Sequence, residues 1–282
     1  MKLKNNIILC VLAGLLLSSC VGKQPRDGGG LMKVTASIAP VAYLAREIGG
    51  DSAEVQVLLP PGSDAESFEP QIGKLRDLEG ASLFAATGLL PFEGKIASTV
   101  RENGGARFVP LSGGIELIKG THGDGEPDPH IWVSVRNLRV MARTLAEAMA
   151  GARPAAAGYF NARHALLDNR LDSLDKAFSA RLAGADNPVF LVWHPSLSYF
   201  ARDYGLRQIA VGFEGKEHSA VGARERLDAA LAASPKVYFL QAEEDPRAAE
   251  TLPLPAGTPK VTINLMAPDW ETEIKKVADA LR

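Results

Sequence analysis

Short runs of aliphatic and β-branched residues alternate along this chain with longer stretches whose apolar positions recur every three or four residues. Lys33–Ser37, Glu54–Leu59, Ser82–Ala86 and Arg107–Val109 read as strands in the first half. Val189–Trp193, Gln208–Val211, Val237–Gln241 and Lys260–Asn264 read as strands in the second. Between them, Val41–Ile48, Ile72–Leu78, Asn137–Met149 and Ala223–Ala232 carry helical periodicity. Strands that alternate with helices in this way predict parallel α/β sheets.

The longest helical pattern runs from about Pro154 to Leu182, with proline in its first turn. Phe160, Leu167, Leu171, Leu174, Phe178 and Leu182 fall on one face, and His164 shares it as a packing residue. A helix of this length with α/β pattern on both sides predicts a rigid strut between two lobes. A cleft between lobes is a common setting for a ligand.

The first residues are read as an address. Lys2 and Lys4 precede the apolar run Ile7 to Leu17, too short for a membrane span and followed by Leu17-Ser18-Ser19-Cys20. That ending resembles a bacterial lipobox, which implies that Cys20 becomes the lipidated first residue of the mature chain. The polar, glycine-rich stretch after it reads as a tether. Cys10 leaves with the signal and Cys20 is consumed by acylation, so no thiol remains for a disulfide or a cysteine–metal cluster. With 282 residues, 46% of them hydrophobic, there is chain enough for one large or two medium domains. A formal net charge of −2 offers no basic field for nucleic acid. Neither G-x-G-x-x-G nor a Walker A pattern occurs.

Candidate chemistry lies in Asp128-Pro129-His130-Ile131-Trp132 and Trp193-His194-Pro195. Each sets a histidine beside a proline, which restricts the backbone and holds the imidazole in a rigid loop after a strand. Neutral imidazole is the commonest protein ligand for a borderline metal ion, and the chain has only five histidines. Two in such settings point to a metal site.

From about Lys33 to Leu281 the chain resembles the zinc/manganese group of bacterial solute-binding lipoproteins that serve ABC transporters. The matching pieces are Ser37-Ile38-Ala39-Pro40, Leu59-Pro60-Pro61-Gly62, Ser67-Phe68-Glu69-Pro70, the two histidine segments, Tyr199-Phe200-Ala201-Arg202-Asp203-Tyr204-Gly205-Leu206 and Gly215-Lys216-Glu217. The resemblance implies two α/β lobes with parallel sheets joined by one long helix, a metal site in the cleft, and a monomer that delivers its ion to a membrane permease. The corresponding divisions are a signal over 1–20, a tether over 21–31, an N-terminal lobe over 32–153, a linking helix over 154–183 and a C-terminal lobe over 184–282. His130 and His194 carry over directly as ligands. Glu66 stands where the family usually has its first histidine, and Asn264 where it often has an aspartate. Glu217 is a reserve carboxylate. His122 lies in a short glycine-rich loop where many zinc-binding relatives carry a long histidine-rich insertion.

Two imidazoles and a carboxylate suit tetrahedral zinc, while an oxygen donor in place of a histidine also favours manganese. The expected function is therefore capture of a divalent ion, zinc first with a manganese/iron carrier of the same family as the alternative, by an exported, membrane-anchored protein that is not an enzyme. Two readings from other classes stand beside it. A metallohydrolase would use the same ligand count but lacks an H-E-x-x-H pair, and a surface adhesin would need only the anchor.

Overall fold

Apolar residues that run without interruption through a strand mark the centre of a parallel sheet, covered on both faces. The computed structural model, which describes residues 30–282 apart from 72, 74–77, 79, 104, 121–124, 185–186, 213–219, 243–253 and 255–256, follows that rule. The first sheet contains β1 (Met32–Ala36), β2 (Ala53–Val57), β3 (Leu83–Ala86) and β4 (Arg107–Pro110), in the spatial order β2-β1-β3-β4. The second contains β5 (Val189–Val192), β6 (Arg207–Ala210), β7 (Tyr238–Gln241) and β8 (Lys260–Ile263), in the order β6-β5-β7-β8. All pairs are parallel, and the two halves repeat one topology. Every residue of the inner strands β3 and β5 is buried, whereas the edge strands β2 and β4 alternate with exposed positions.

The helices are α1 (Ala39–Gly49), α2 (Pro91–Asn103), α3 (Val135–Ala152), α4 (Ala157–Leu182), α5 (Ser198–Tyr204), α6 (Ala220–Ala232) and α7 (Trp270–Ala280). Pro40 sits in the first turn of α1, where its missing N–H costs nothing. Ser134 caps α3 by accepting from the Asn137 nitrogen, and Asp269 does the same for α7 through Thr272. α5 stops at Gly205, whose φ of 66° only glycine adopts without strain.

A 3₁₀ turn, Pro154–Ala156, leads into α4. The six residues expected on one face of this helix, Phe160 through Leu182, are those it buries. α4 packs on α1 and α3 from the first half and on α5 and α7 from the second, as a strut between lobes should. His164 faces α3, with a buried Nε2 that makes no hydrogen bond, in keeping with a packing role. Arg139 of α3 pairs with Asp168 and Asp172 of α4, and Arg136 with Asp175, fixing how the two helices slide past each other.

Helices α2, α5 and α7 were absent from the sequence expectation. The expected helix over 72–78 falls mostly on residues outside the described set. So do Cys20, His122 and Glu217.

A buried carboxylate organises the loop after β3. Glu93, in the first turn of α2, accepts from the Thr87 nitrogen (2.9 Å), the Thr87 hydroxyl (2.7 Å) and the Gly88, Leu89 and Leu90 nitrogens (2.7, 3.1 and 3.2 Å). Donors at the start of a helix have no backbone partners, and this side chain reaches back to supply one.

Candidate metal centre

In an open α/β sheet, ligands gather beyond the carboxyl ends of the strands, where the order of connection reverses. For the second sheet that point lies between β5 and β7. His194 is the second residue after β5, and Gln241 is the last of β7. The buried Gln241 side chain spans the gap, accepting from the His194 nitrogen (3.3 Å) and donating to the Ser196 hydroxyl (2.8 Å). Trp193, immediately before His194, is held by its carbonyl, which accepts from the Gly212 nitrogen at 2.9 Å. A Cβ at Gly212 would come within 2.6 Å of that oxygen and 2.7 Å of the Trp193 ring nitrogen, so only glycine fits.

His130 is delivered differently. Both histidines lie on the connection after a strand, as expected, but at different distances: β4 ends at Pro110, and the chain runs on to Asp128 before reaching His130. His130 precedes a 3₁₀ turn, Ile131–Val133, that leads into α3. Its orientation comes from Asp128, whose Oδ1 accepts from both the backbone nitrogen and Nδ1 of His130 at 2.9 Å. Burial by itself would push the Asp128 carboxyl up, but the side-chain and backbone hydrogen bonds from His130, with help from Ser198, hold it below the usual range. An ionised carboxylate only accepts, which assigns the proton to Nδ1 and leaves the Nε2 lone pair facing outward.

Glu66 lies on the loop after β2. Asp64 accepts from the Glu66 nitrogen (3.0 Å) and from the Ser67 hydroxyl (2.5 Å), shaping the turn. Phe68 packs edge-on against Phe92 of α2 at 5.1 Å, and Glu69 pairs with Lys95 of the same helix. The loop is thus fastened to the first lobe.

The three side chains meet. His130 Nε2 and His194 Nε2 are 3.2 Å apart, and Glu66 Oε1 lies 3.5 Å from the first and 3.3 Å from the second. His130 is buried, and the side chains of His194 and Glu66 retain 13% and 27% of their exposure, so the triangle has one open side. Among the described residues these three form the group of histidines and carboxylates arranged to hold a metal ion. Tetrahedral zinc with bonds of about 2.0–2.2 Å sets its donors roughly 3.3–3.6 Å apart, close to these edges.

Asn264 follows β8 on the same edge of the second sheet. Its side-chain oxygen accepts from the Met266 nitrogen at 3.0 Å, and its own nitrogen donates to Glu273 at 2.8 Å. Asp128 and Gln241, which orient the two histidines, were not singled out as site residues in the sequence. For Asp128 the signal was there: an aspartate two residues before a histidine, with proline between.

A family model described as "Zinc-uptake complex component A periplasmic" matches residues 34–281. The chain is 24% identical over 290 residues to the zinc-binding lipoprotein AdcA of Streptococcus pneumoniae, covering 96% of this chain and 57% of that protein, so it spans little more than half that relative's length. It is 22% identical over 217 residues to the manganese ABC transporter substrate-binding lipoprotein PsaA of Streptococcus anginosus, covering 73% of this chain and 70% of that one. Among solved structures, a ZnuA deletion mutant with zinc bound superposes with a TM-score of 0.82 at 29% identity, covering 88% of this chain and 95% of the other. The family match runs across both sheets and every described helix, and the chain belongs to the family of zinc-uptake complex component A periplasmic proteins.

Proposed function

We propose that this chain is an extracytoplasmic solute-binding lipoprotein that captures one divalent metal ion, zinc, and delivers it to an ABC permease. The observation that carries this reading is the triangle of Glu66 Oε1, His130 Nε2 and His194 Nε2, with edges of 3.2, 3.3 and 3.5 Å. In this reading the three side chains ligate the ion, and water or Asn264 takes the fourth position. Two neutral donors and one anion leave a bound divalent ion with net positive charge, which attracts a further oxygen. One relative is named a zinc-binding lipoprotein and another a manganese ABC transporter substrate-binding lipoprotein, which supports a carrier over a hydrolase. A lipid on Cys20 would hold the monomer at the membrane, with residues 21–31 as tether. No described helix is long and apolar enough to cross a membrane.

Manganese is the second reading, supported by the Glu66 oxygen in the donor set and by the manganese-named relative. Metal analysis of the purified full chain, followed by zinc and manganese titration against a competing chelator, separates the two. One zinc per chain, held more tightly than manganese and lost in His130→Ala and His194→Ala, is the expected result. Full zinc binding by both alanine variants would overturn the assignment.

A further inference from the structure

His130 stands twenty residues beyond the end of β4, so the first sheet does not fix its distance from His194. The limb that carries it is tied down elsewhere. Near its base, residues 118 and 128 face each other as an antiparallel pair would, and the Asp128 nitrogen donates to the Ile118 carbonyl at 2.9 Å. A regular hydrogen-bonded pair would return a second direct bond from the Ile118 nitrogen to the Asp128 carbonyl. A phenol is inserted there instead. The Tyr199 hydroxyl accepts from the Ile118 nitrogen at 3.2 Å and donates to the Asp128 carbonyl at 2.8 Å.

Tyr199 belongs to α5, five residues after His194, and is fully buried. Burial pushes its hydroxyl up to about 12, so it stays neutral and can both donate and accept. Arg202, one turn further on, lies over the Tyr199 ring at 5.1 Å and donates to the Glu116 carbonyl at 2.9 Å and to Asn137 at 3.2 Å. The contacts close a circuit. It runs from Tyr199 through the Asp128 carbonyl to the Asp128 carboxylate, on to His130, across to His194, and back along the chain to Tyr199.

We propose that Tyr199 is a positioning residue of the metal site, fastening the His130 limb to the segment that carries His194 and so setting the separation of the two imidazoles. Glu66, anchored to the first lobe, is the donor outside this circuit. The inference rests on the metal-binding reading above. It assigns to a buried tyrosine a role that touches no ion.

The test compares Tyr199→Phe with Tyr204→Phe in the full chain. Tyr204 is on the same helix and also buried, but its hydroxyl bonds Asp175 of α4 at 2.9 Å. Each variant loses one buried hydroxyl with its hydrogen bonding, so both should melt at lower temperature. Only Tyr199→Phe should weaken zinc in chelator competition, by about tenfold, and alter the visible spectrum of bound cobalt(II). Zinc affinity and cobalt spectra that are alike in the two variants would overturn the proposal. Should Tyr199→Phe fail to fold, Arg202→Met unseats the ring and leaves its hydroxyl, and unchanged cobalt spectra there would overturn it equally. Wild-type protein that gives no tetrahedral cobalt spectrum would instead remove the metal-binding reading itself.

Discussion

Asp128 Oδ1 accepts from His130 twice, at 2.9 Å from the backbone nitrogen and 2.9 Å from Nδ1. One oxygen therefore fixes both the turn and the tautomer. An asparagine of the same shape removes the charge that holds the Nδ1 proton and can offer an N–H in its place. Asp128→Asn is expected to weaken zinc by roughly 10–100-fold with little change in secondary structure. Chelator competition beside circular dichroism measures both. Undiminished affinity would deny Asp128 its orienting role.

Glu66 is the one anionic donor of the proposed site. Glu66→Gln retains the shape but loses the anion, and both zinc and manganese affinity should fall. Glu66→His supplies a third imidazole and should shift preference from manganese toward zinc. Paired titrations with the two metals read the ratio directly. If Glu66→Gln binds zinc as tightly as the wild type, the third ligand lies elsewhere.

Gly212 backs the loop that presents His194. A methyl group there collides with Trp193, both at its carbonyl oxygen and at its ring nitrogen. Gly212→Ala is expected to displace that loop and lower metal affinity several-fold, with a stability loss of about 1–3 kcal/mol from overpacking. Isothermal titration with zinc and a thermal melt give the two numbers. A variant with normal binding would mean that the loop shifts without carrying His194 along.

Glu271 of α7 accepts from the Tyr43 hydroxyl of α1 at 2.7 Å and pairs with Arg170 of α4 at 2.6 Å, joining elements from both halves. Burial would raise its carboxyl, but the bonds from Tyr43 and Lys275 and the charges of Arg170 and Lys275 hold it below its ordinary 4.5. A depressed carboxylate contributes stability that is present above the unfolded value and lost as pH falls through the folded one. Glu271→Gln should therefore melt earlier than wild type near neutral pH, and the gap should narrow below about pH 4.5. Melts of both proteins across that range decide it, and a gap independent of pH would contradict the ion-pair account.

The fold was legible because central strands such as Leu83–Ala86 and Val189–Val192 are uninterrupted apolar runs, and because Phe160 to Leu182 keep strict helical spacing. All eight expected strands are present, with ends that differ by a residue or two. Helix α2 was hidden because Phe92, Ile96 and Val100 are its main apolar positions, and Gly94 and Thr99 dilute the pattern. Helix α5 is too short for periodicity to register. At the site, His130 and His194 were visible as residues, but their braces were not. Gln241 reaches the His194 backbone, and Tyr199 the Asp128 carbonyl, across large sequence separations, and nothing local in their surroundings reveals it. The long route of the chain to His130 was legible in the gap between the strand ending at Val109 and His130, but not the contacts that fasten it.

If the triangle of Glu66, His130 and His194 holds an ion, as proposed, it also couples cargo to durability. Folding gathers three potential donor atoms within 3.5 Å of one another. An ion that binds the folded chain there, and not the unfolded chain, adds its binding free energy to the folded state. At a free concentration one hundred times its dissociation constant, such an ion adds about 2.7 kcal/mol to the stability of the protein. The loaded and unloaded forms would then differ in how long they survive heat or proteolysis.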